Sequence, residues 1–137
     1  MKYPNHINKK PSYWKEYHEE WKKLVNMTGH EVDKFSKSPC GKQAGLSRKE
    51  ASEQKTRSGR DSAKAIVRMK RKGVTNWNKN DWEWCKAQVD FLNRFLNKQN
   101  KPRYPLWHNG IPTRYLLALL TWGHNPLPRK LTHYCLT

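Results

Sequence analysis

The chain has 137 residues, with 28 Lys plus Arg against 11 acidic residues, so its formal net charge is +17. That length suits one compact domain, and that charge points to nucleic acid or another anionic surface as partner while working against self-association. Apolar residues are only 35% and mean hydropathy is −1.11, values that lean toward disorder, but seven Trp, six Tyr and three Phe each supply a large buried area, so the composition predicts a thin, Trp-rich core.

Residues 1–11 are polar, are punctuated by Pro4 and Pro11, and read as an extended arm. Ser12 is placed to cap a helix running to about Thr28, with an apolar stripe of Trp14, Tyr17, Trp21, Leu24 and Val25 and with Gly29 as its stop. Residues 30–46 lack periodicity and contain Pro39, Gly41 and Gly45, the pattern of a linker. Ser47 with Glu50 makes a capping box, and Leu46 with Ala51 a staple, for a short polar helix. Ser58 and Asp61 repeat the box and open a helix that ends at Gly73.

The strongest start signal follows: Asn78 with Asp81, flanked by Trp77 and Trp82 at the two staple positions. The helix it opens, about 79–98, carries Trp82, Cys85, Val89, Leu92 and Leu96 on one stripe with Phe91 and Phe95 beside it, which makes it the central helix. Asn109-Gly110 between Leu106-Trp107 and Ile111 predicts a minimal hairpin. Thr113 caps an apolar helix, Arg114 to Trp122, ended by Gly123, and Pro126 and Pro128 then stiffen a basic tail. The expected architecture is mainly α: four to five helices around a Trp-rich core, one minimal β-hairpin and extended basic arms. Residues 1–46 are read as arm, helix and linker, 47–127 as the helical core domain, and 128–137 as the tail.

One feature carries most of the functional content. Arg57, Arg60, Lys64, Arg68 and Arg71 are spaced so that, at about 100° per residue, they fall within roughly a quarter of a helix circumference. Ile66 and Met69 face the other way, with Ala63 at the edge. Like charges stacked at this spacing repel, and a polyanion removes the repulsion. Between Arg57 and Lys72 there are seven cations and one acid, more than solubility requires. Neutralising about five phosphates predicts a log–log salt slope of about −4 to −5, and Arg48, Lys49, Lys72 and Arg129 are read as further helping contacts. Lys70, Arg71 and Lys72 also suit a helix C-terminus, where cations complement the macrodipole. Arg129-Lys130 with His133 reads either as a second phosphate-contacting arm or as a loose end.

Other chemistries find less support. Trp84, Trp107 and Tyr104 are the aromatics that neither stripe nor staple explains, yet their spacing does not match a base-stacking sheet. The close pair His133 and Cys135 is too little for structural zinc. His108-Asn109 and His124-Asn125 invite comparison with His-Asn-His nucleases, but the second is more simply a helix cap before Pro126. No serine elbow, phosphate loop or paired dinucleotide-binding glycines occur. No catalytic residue, metal or cofactor is therefore assigned. Cys40, Cys85 and Cys135 are far apart and odd in number, which fits free thiols in a reducing compartment. The N-terminal residues lack an apolar signal stretch, and Tyr115 to Trp122 is too short to span a bilayer.

The string Ser58 to Lys70, then Trp77, Asp81-Trp82-Glu83-Trp84 and Gln88 to Phe91, together with Gly110 to Leu117 and Trp122 to Pro126, resembles a family of uncharacterised small basic proteins of tailed bacteriophages and large DNA viruses. The likeness covers about residues 56–127. It implies a viral or phage origin, hence host cytoplasm or virion interior, and no activity.

The expected function is non-enzymatic binding of nucleic acid, duplex DNA above all, through its phosphate backbone and with little sequence specificity. A helix-turn-helix would put the charge on its second helix, but here the charge lies on the first, which favours backbone contact over base readout. Two other readings stand beside it. One is a virion assembly component docking on acidic protein or packaged genome, with viral structural proteins as partners. The other is an inhibitor that occupies an acidic surface of a host defence enzyme. No membrane or small-molecule partner is expected.

Overall fold

A computed structural model describes residues 11–43, 57–96 and 105–126. The described chain is mainly helical. Its elements are α1 (Pro11–Leu24), α2 (Gly29–Lys37), α3 (Pro39–Gln43), α4 (Gly59–Lys72), a single 3₁₀ turn (Val74–Asn76), α5 (Lys79–Leu96), a two-stranded antiparallel hairpin of β1 (Trp107–His108) and β2 (Ile111–Pro112), and α6 (Arg114–Thr121). The Ser47–Glu50 box, Arg48, Lys49, Tyr104, Arg129, Lys130, His133 and Cys135 lie outside the described residues.

The start signals of α5 and α6 form as read, and at α4 the Ser58 half of the expected box forms. Ser58 Oγ accepts from the Asp61 N–H, and Thr113 Oγ1 accepts from the Leu116 N–H. At α5 the box is reciprocal: Asn78 Oδ1 accepts from the Asp81 N–H at 2.9 Å, and the Asp81 carboxylate accepts from the Asn78 N–H at 3.0 Å. The staple rings of Trp77 and Trp82 meet edge to face at 4.9 Å. In the hairpin, Trp107 pairs with Pro112 and His108 with Ile111 across Asn109 (φ 51°) and Gly110 (φ 76°), the two left-handed residues of a tight turn.

The N-terminal third departs from expectation. α1 begins at Pro11, whose fixed φ suits a first turn, and it ends at Leu24 instead of running to Thr28. Its end is held from three sides. Lys70 Nζ donates to the carbonyls of Val25 and Met27, the Asn26 amide exchanges two hydrogen bonds with the backbone of Asn125, and the Met27 N–H donates to the Gly123 carbonyl. Thr28 then caps α2 through a full capping box with Glu31, so Gly29 opens a helix and does not close one. The stretch expected as a linker over residues 30–46 thus carries α2 and α3, and Val32 and Phe35 enter the core.

The core joins α1, α2, α4, α5 and α6 in one buried cluster. At one end Trp14, Trp21, Trp77 and Trp82 meet edge to face at 4.9 to 6.0 Å, with His18 against three of the rings. At the other, Phe91 stacks flat on Trp122 at 4.0 Å. A buried polar chain crosses the layers: Trp21 Nε1–H donates to Gln88 Oε1 at 2.7 Å, and the Gln88 amide nitrogen donates to Ser62 Oγ at 3.2 Å. Each polar group there has its partner, so the chain fixes the relative register of α1, α4 and α5.

α6 closes in a Schellman turn, with the His124 N–H donating to the Leu119 carbonyl and the Gly123 N–H to that of Leu120. Gly123 has φ 83°, and a Cβ there would stand 2.7 Å from Val25 Cγ1 and 2.9 Å from Ile66 Cδ1, so the position admits only glycine. His124 also bonds the Leu24 carbonyl through Nδ1 at 2.6 Å. Both His-Asn dipeptides therefore have structural work, one at a hairpin turn and one clasping the end of α1. Of the cysteines, Cys85 is free and buried, while Cys40 is disulfide-bonded, against the expectation of free thiols throughout.

Candidate nucleic-acid interface

Helix α4 places the cationic row. Its buried residues are Gly59, Ser62, Ala63, Ala65, Ile66 and Met69. At about 100° per residue they occupy an arc centred roughly opposite Arg60, Lys64, Arg68 and Arg71, which share about 80°. All four of these cations are exposed. The single rod with one wet and one buried flank is thus present, and from Arg60 to Arg71 the row is about 16 Å long.

The cations differ in what they touch. Lys64 and Arg71 stand clear of any carboxylate among the described residues, and Arg60 donates to the Lys42 carbonyl at 2.8 Å, which leaves its charge uncompensated. Arg57 precedes the helix, and its guanidinium lies over the Trp84 ring at 4.7 Å. Arg68 is tied down: its Nε is 3.2 Å from Asp81 Oδ1. Lys72 is tied to the same carboxylate, Nζ to Oδ2 at 2.7 Å, and is only half exposed. Lys72 thus holds the fold through this pair, because the cap that starts α5 sits against the last turn of α4. Two cations share one carboxylate, so the cluster keeps a net positive charge of one.

Asp81 is the centre of this arrangement, with a fully buried side chain. Burial alone would raise its pKa, but the hydrogen bonds from Lys72, the Asn78 N–H and Arg68 outweigh it and hold the carboxyl below its usual value. Sequence reasoning found Asp81 as a capping acid and missed it as an ion-pair hub, since the partners lie 13 and 9 residues back and no local pattern encodes that pairing. Lys70 was likewise legible only as a macrodipole cation. Its Nζ in fact reaches the Met27 carbonyl at 2.6 Å and lies 5.3 Å from the Trp21 ring, and burial lowers its pKa.

Among the described residues no group of three or more His, Cys, Asp or Glu gathers as a metal cluster, and no helix is long and apolar enough to cross a membrane. Burial pushes the Cys85 thiol pKa well up, so it remains protonated and unreactive near neutrality.

The family profile of DUF3140, proteins of unknown function, matches residues 20–109. The chain belongs to the DUF3140 family. The match agrees with the resemblance to an uncharacterised family, shifts it toward the N-terminus, and speaks of neither virus nor phage. The whole of α4 and the Asp81 hub lie inside the matched region. No curated protein and no solved structure matches the chain.

Proposed function

We propose that this member of DUF3140 binds nucleic acid through the phosphate backbone, with duplex DNA as its main target and little sequence specificity, and without catalysing a reaction. The observation that carries the reading is the placement of Arg60, Lys64 and Arg71. They are exposed on one arc of α4, opposite its buried arc, with no carboxylate against them among the described residues. Uncompensated like charges on neighbouring turns destabilise a helix slightly, and a line of phosphates relieves that repulsion. A row of about 16 Å runs alongside roughly five base-pair steps.

Duplex is favoured over single strand because the arc carries no aromatic platform. The large exposed apolar side chains among the described residues, Trp107 and Ile111, lie on the hairpin, and Trp84 is covered by Arg57. In the setting that the resemblance implies, the polyanion would be a viral or phage genome.

Fluorescence anisotropy with a labelled duplex and with one of its single strands, over a series of salt concentrations, tests the proposal. With Arg60, Lys64, Arg71 and the outer edge of Arg68 in play, the log–log slope for duplex should be about −3 to −4. The double variant Arg60→Glu/Lys64→Glu should lose most of the affinity while its melting temperature stays close to that of the unaltered protein. A slope near zero, or undiminished binding by the double variant, overturns the reading.

A further inference from the structure

The row of cations is not held by α4 alone. Asp81 and Trp84 stand three residues apart on α5, so they share one face of it. Asp81 holds Arg68 and Trp84 holds Arg57, the two arginines at the margin of the row. The mode of holding matters. Arg68 is bound through Nε at 3.2 Å, on the inner side of the guanidinium, while the Asp81 oxygen nearer to Lys72 takes the shorter contact of 2.7 Å. Among the described residues the Nη atoms of Arg68 make no hydrogen bond, and the Arg68 side chain remains 42% exposed although Asp81 is 0% exposed. Arg57 is held by a cation–π contact, its Cζ 4.7 Å from the centre of the Trp84 ring, and it too remains exposed.

We propose that Asp81 is a positioning residue of the polyanion site. It fixes Arg68 by its inner nitrogen so that the outer Nη fork is set in advance to take a phosphodiester oxygen pair. This rests on the function proposed above and adds to it a preference for planar, bidentate recognition of phosphate over plain charge attraction. The buried carboxylate is itself held by Lys72 and by the Asn78 N–H, so it does not follow Arg68 if that side chain moves. A guanidinium already held in place loses less rotamer freedom on binding than a free one.

Positioning and charge counting predict opposite signs. Removing the negative charge at Asp81 raises the net charge by one, so a protein that binds by charge alone binds DNA more tightly. A protein that uses Asp81 to aim Arg68 binds less tightly.

The experiment is duplex binding by anisotropy at fixed salt, with Asp81→Asn, Arg68→Lys and Arg68→Gln, each checked by circular dichroism for a folded state at the assay temperature. Asp81→Asn should weaken binding by about three- to tenfold, the range expected when one long side chain loses its pre-set geometry. Arg68→Lys keeps the charge but has no Nε–Nη fork, and it should fall to the level of Arg68→Gln. Tighter binding by Asp81→Asn, or unaltered binding by Arg68→Lys, overturns the proposal and leaves backbone binding by the arc intact. If Asp81→Asn does not fold, the lysine and glutamine pair decides alone. An unaltered protein that binds no duplex overturns both readings.

Discussion

On α4, Lys70, Lys72 and Arg68 lean onto the fold, whereas Arg60, Lys64 and Arg71 are exposed and have no carboxylate against them among the described residues, Arg60 touching only the Lys42 carbonyl. All six have the same sign and sit on one helix. What separates them is angle and neighbour. Lys70 lies on the α1 side and finds two carbonyls that α1 cannot satisfy at its own end. Arg68 and Lys72 lie on the α5 side and find the capping acid of α5. Lys64 and Arg71 meet solvent, and Arg60 meets solvent beside one backbone carbonyl, that of Lys42. The comparison shows that a net charge counts cations without regard to whether they are already in use, and that a helix in a small basic protein can divide its charges between holding the fold and meeting a partner.

The sharpest way to break the inward set is Asp81→Ala. It removes the ion-pair hub and one half of the α5 capping box together. Loss of a buried charge partner is worth 3–5 kcal/mol in general, and here the value is discounted because Arg68 and Lys72 both reach water, so a loss of about 3 kcal/mol is expected by urea unfolding. The same carboxylate sets an acid limit. Its folded pKa lies below the unfolded value of 3.8, so the stability it contributes is complete above that value and is lost as pH falls through the folded pKa. A denaturation series below about pH 4 should therefore show a steeper loss in the unaltered protein than in Asp81→Ala. Next in size is Lys70→Met, which keeps much of the packing on Trp21 and strands the carbonyls of Val25 and Met27. A loss of about 2 kcal/mol is expected, with the salt slope of DNA binding unchanged.

Much of this was legible because the signals were local. The caps at Ser58, Asn78 and Thr113, the Trp77–Trp82 staple and the Asn109-Gly110 turn each act within five residues, and each formed. The wet and buried arcs of α4 were legible for the same reason. What escaped was tertiary or carried opposing local signals. Thr28-Gly29-His30-Glu31 is a good start box, but Gly29 reads equally well as a stop, and the short α2 offers only Val32 and Phe35 as a buried pair, too few for a period. Gly41 reads as a breaker, yet it is small because a Cβ there would collide with the Phe35 carbonyl. The division of cations was not legible at all, since Lys70 reaches back over 40 residues and Arg68 reaches forward 13.

Acid can add one more inward cation, at His18. Its ring lies 5.4 to 6.5 Å from those of Trp77, Trp82 and Trp21, with Lys22 and Glu19 as its charged neighbours. Burial first, and then Lys22, lower its pKa, while Glu19 opposes them in part. On acidification the unfolded chain takes the proton before the folded one. Stability should thus decline as pH falls below about 6.5, until the folded pKa is passed, and be insensitive to this group above it. Thermal melts between pH 7 and pH 5 should show the decline in the unaltered protein and a flatter profile in His18→Gln.

The smallest effect is expected from the outward set, and its sign is what matters. Arg60 and Lys64, and Lys64 and Arg68, are like-charged pairs four residues apart, and Arg68 and Arg71 are three apart, each destabilising by a few tenths of a kcal/mol in low salt. Among the described residues, Arg68 is the member of these pairs with a carboxylate to relieve it. The triple variant Arg60→Gln/Lys64→Gln/Arg71→Gln should therefore match or exceed the unaltered protein in stability, by up to about 0.5 kcal/mol, while losing DNA affinity. Added salt should raise the melting temperature of the unaltered protein more than that of the variant, because the unaltered protein has the greater repulsion to screen. A triple variant that is clearly less stable would mean that these side chains hold the fold after all, and the contrast between the two sets would disappear. A gain in stability joined to a loss of binding would mark the outward row as charge retained for a partner at the expense of the helix that bears it.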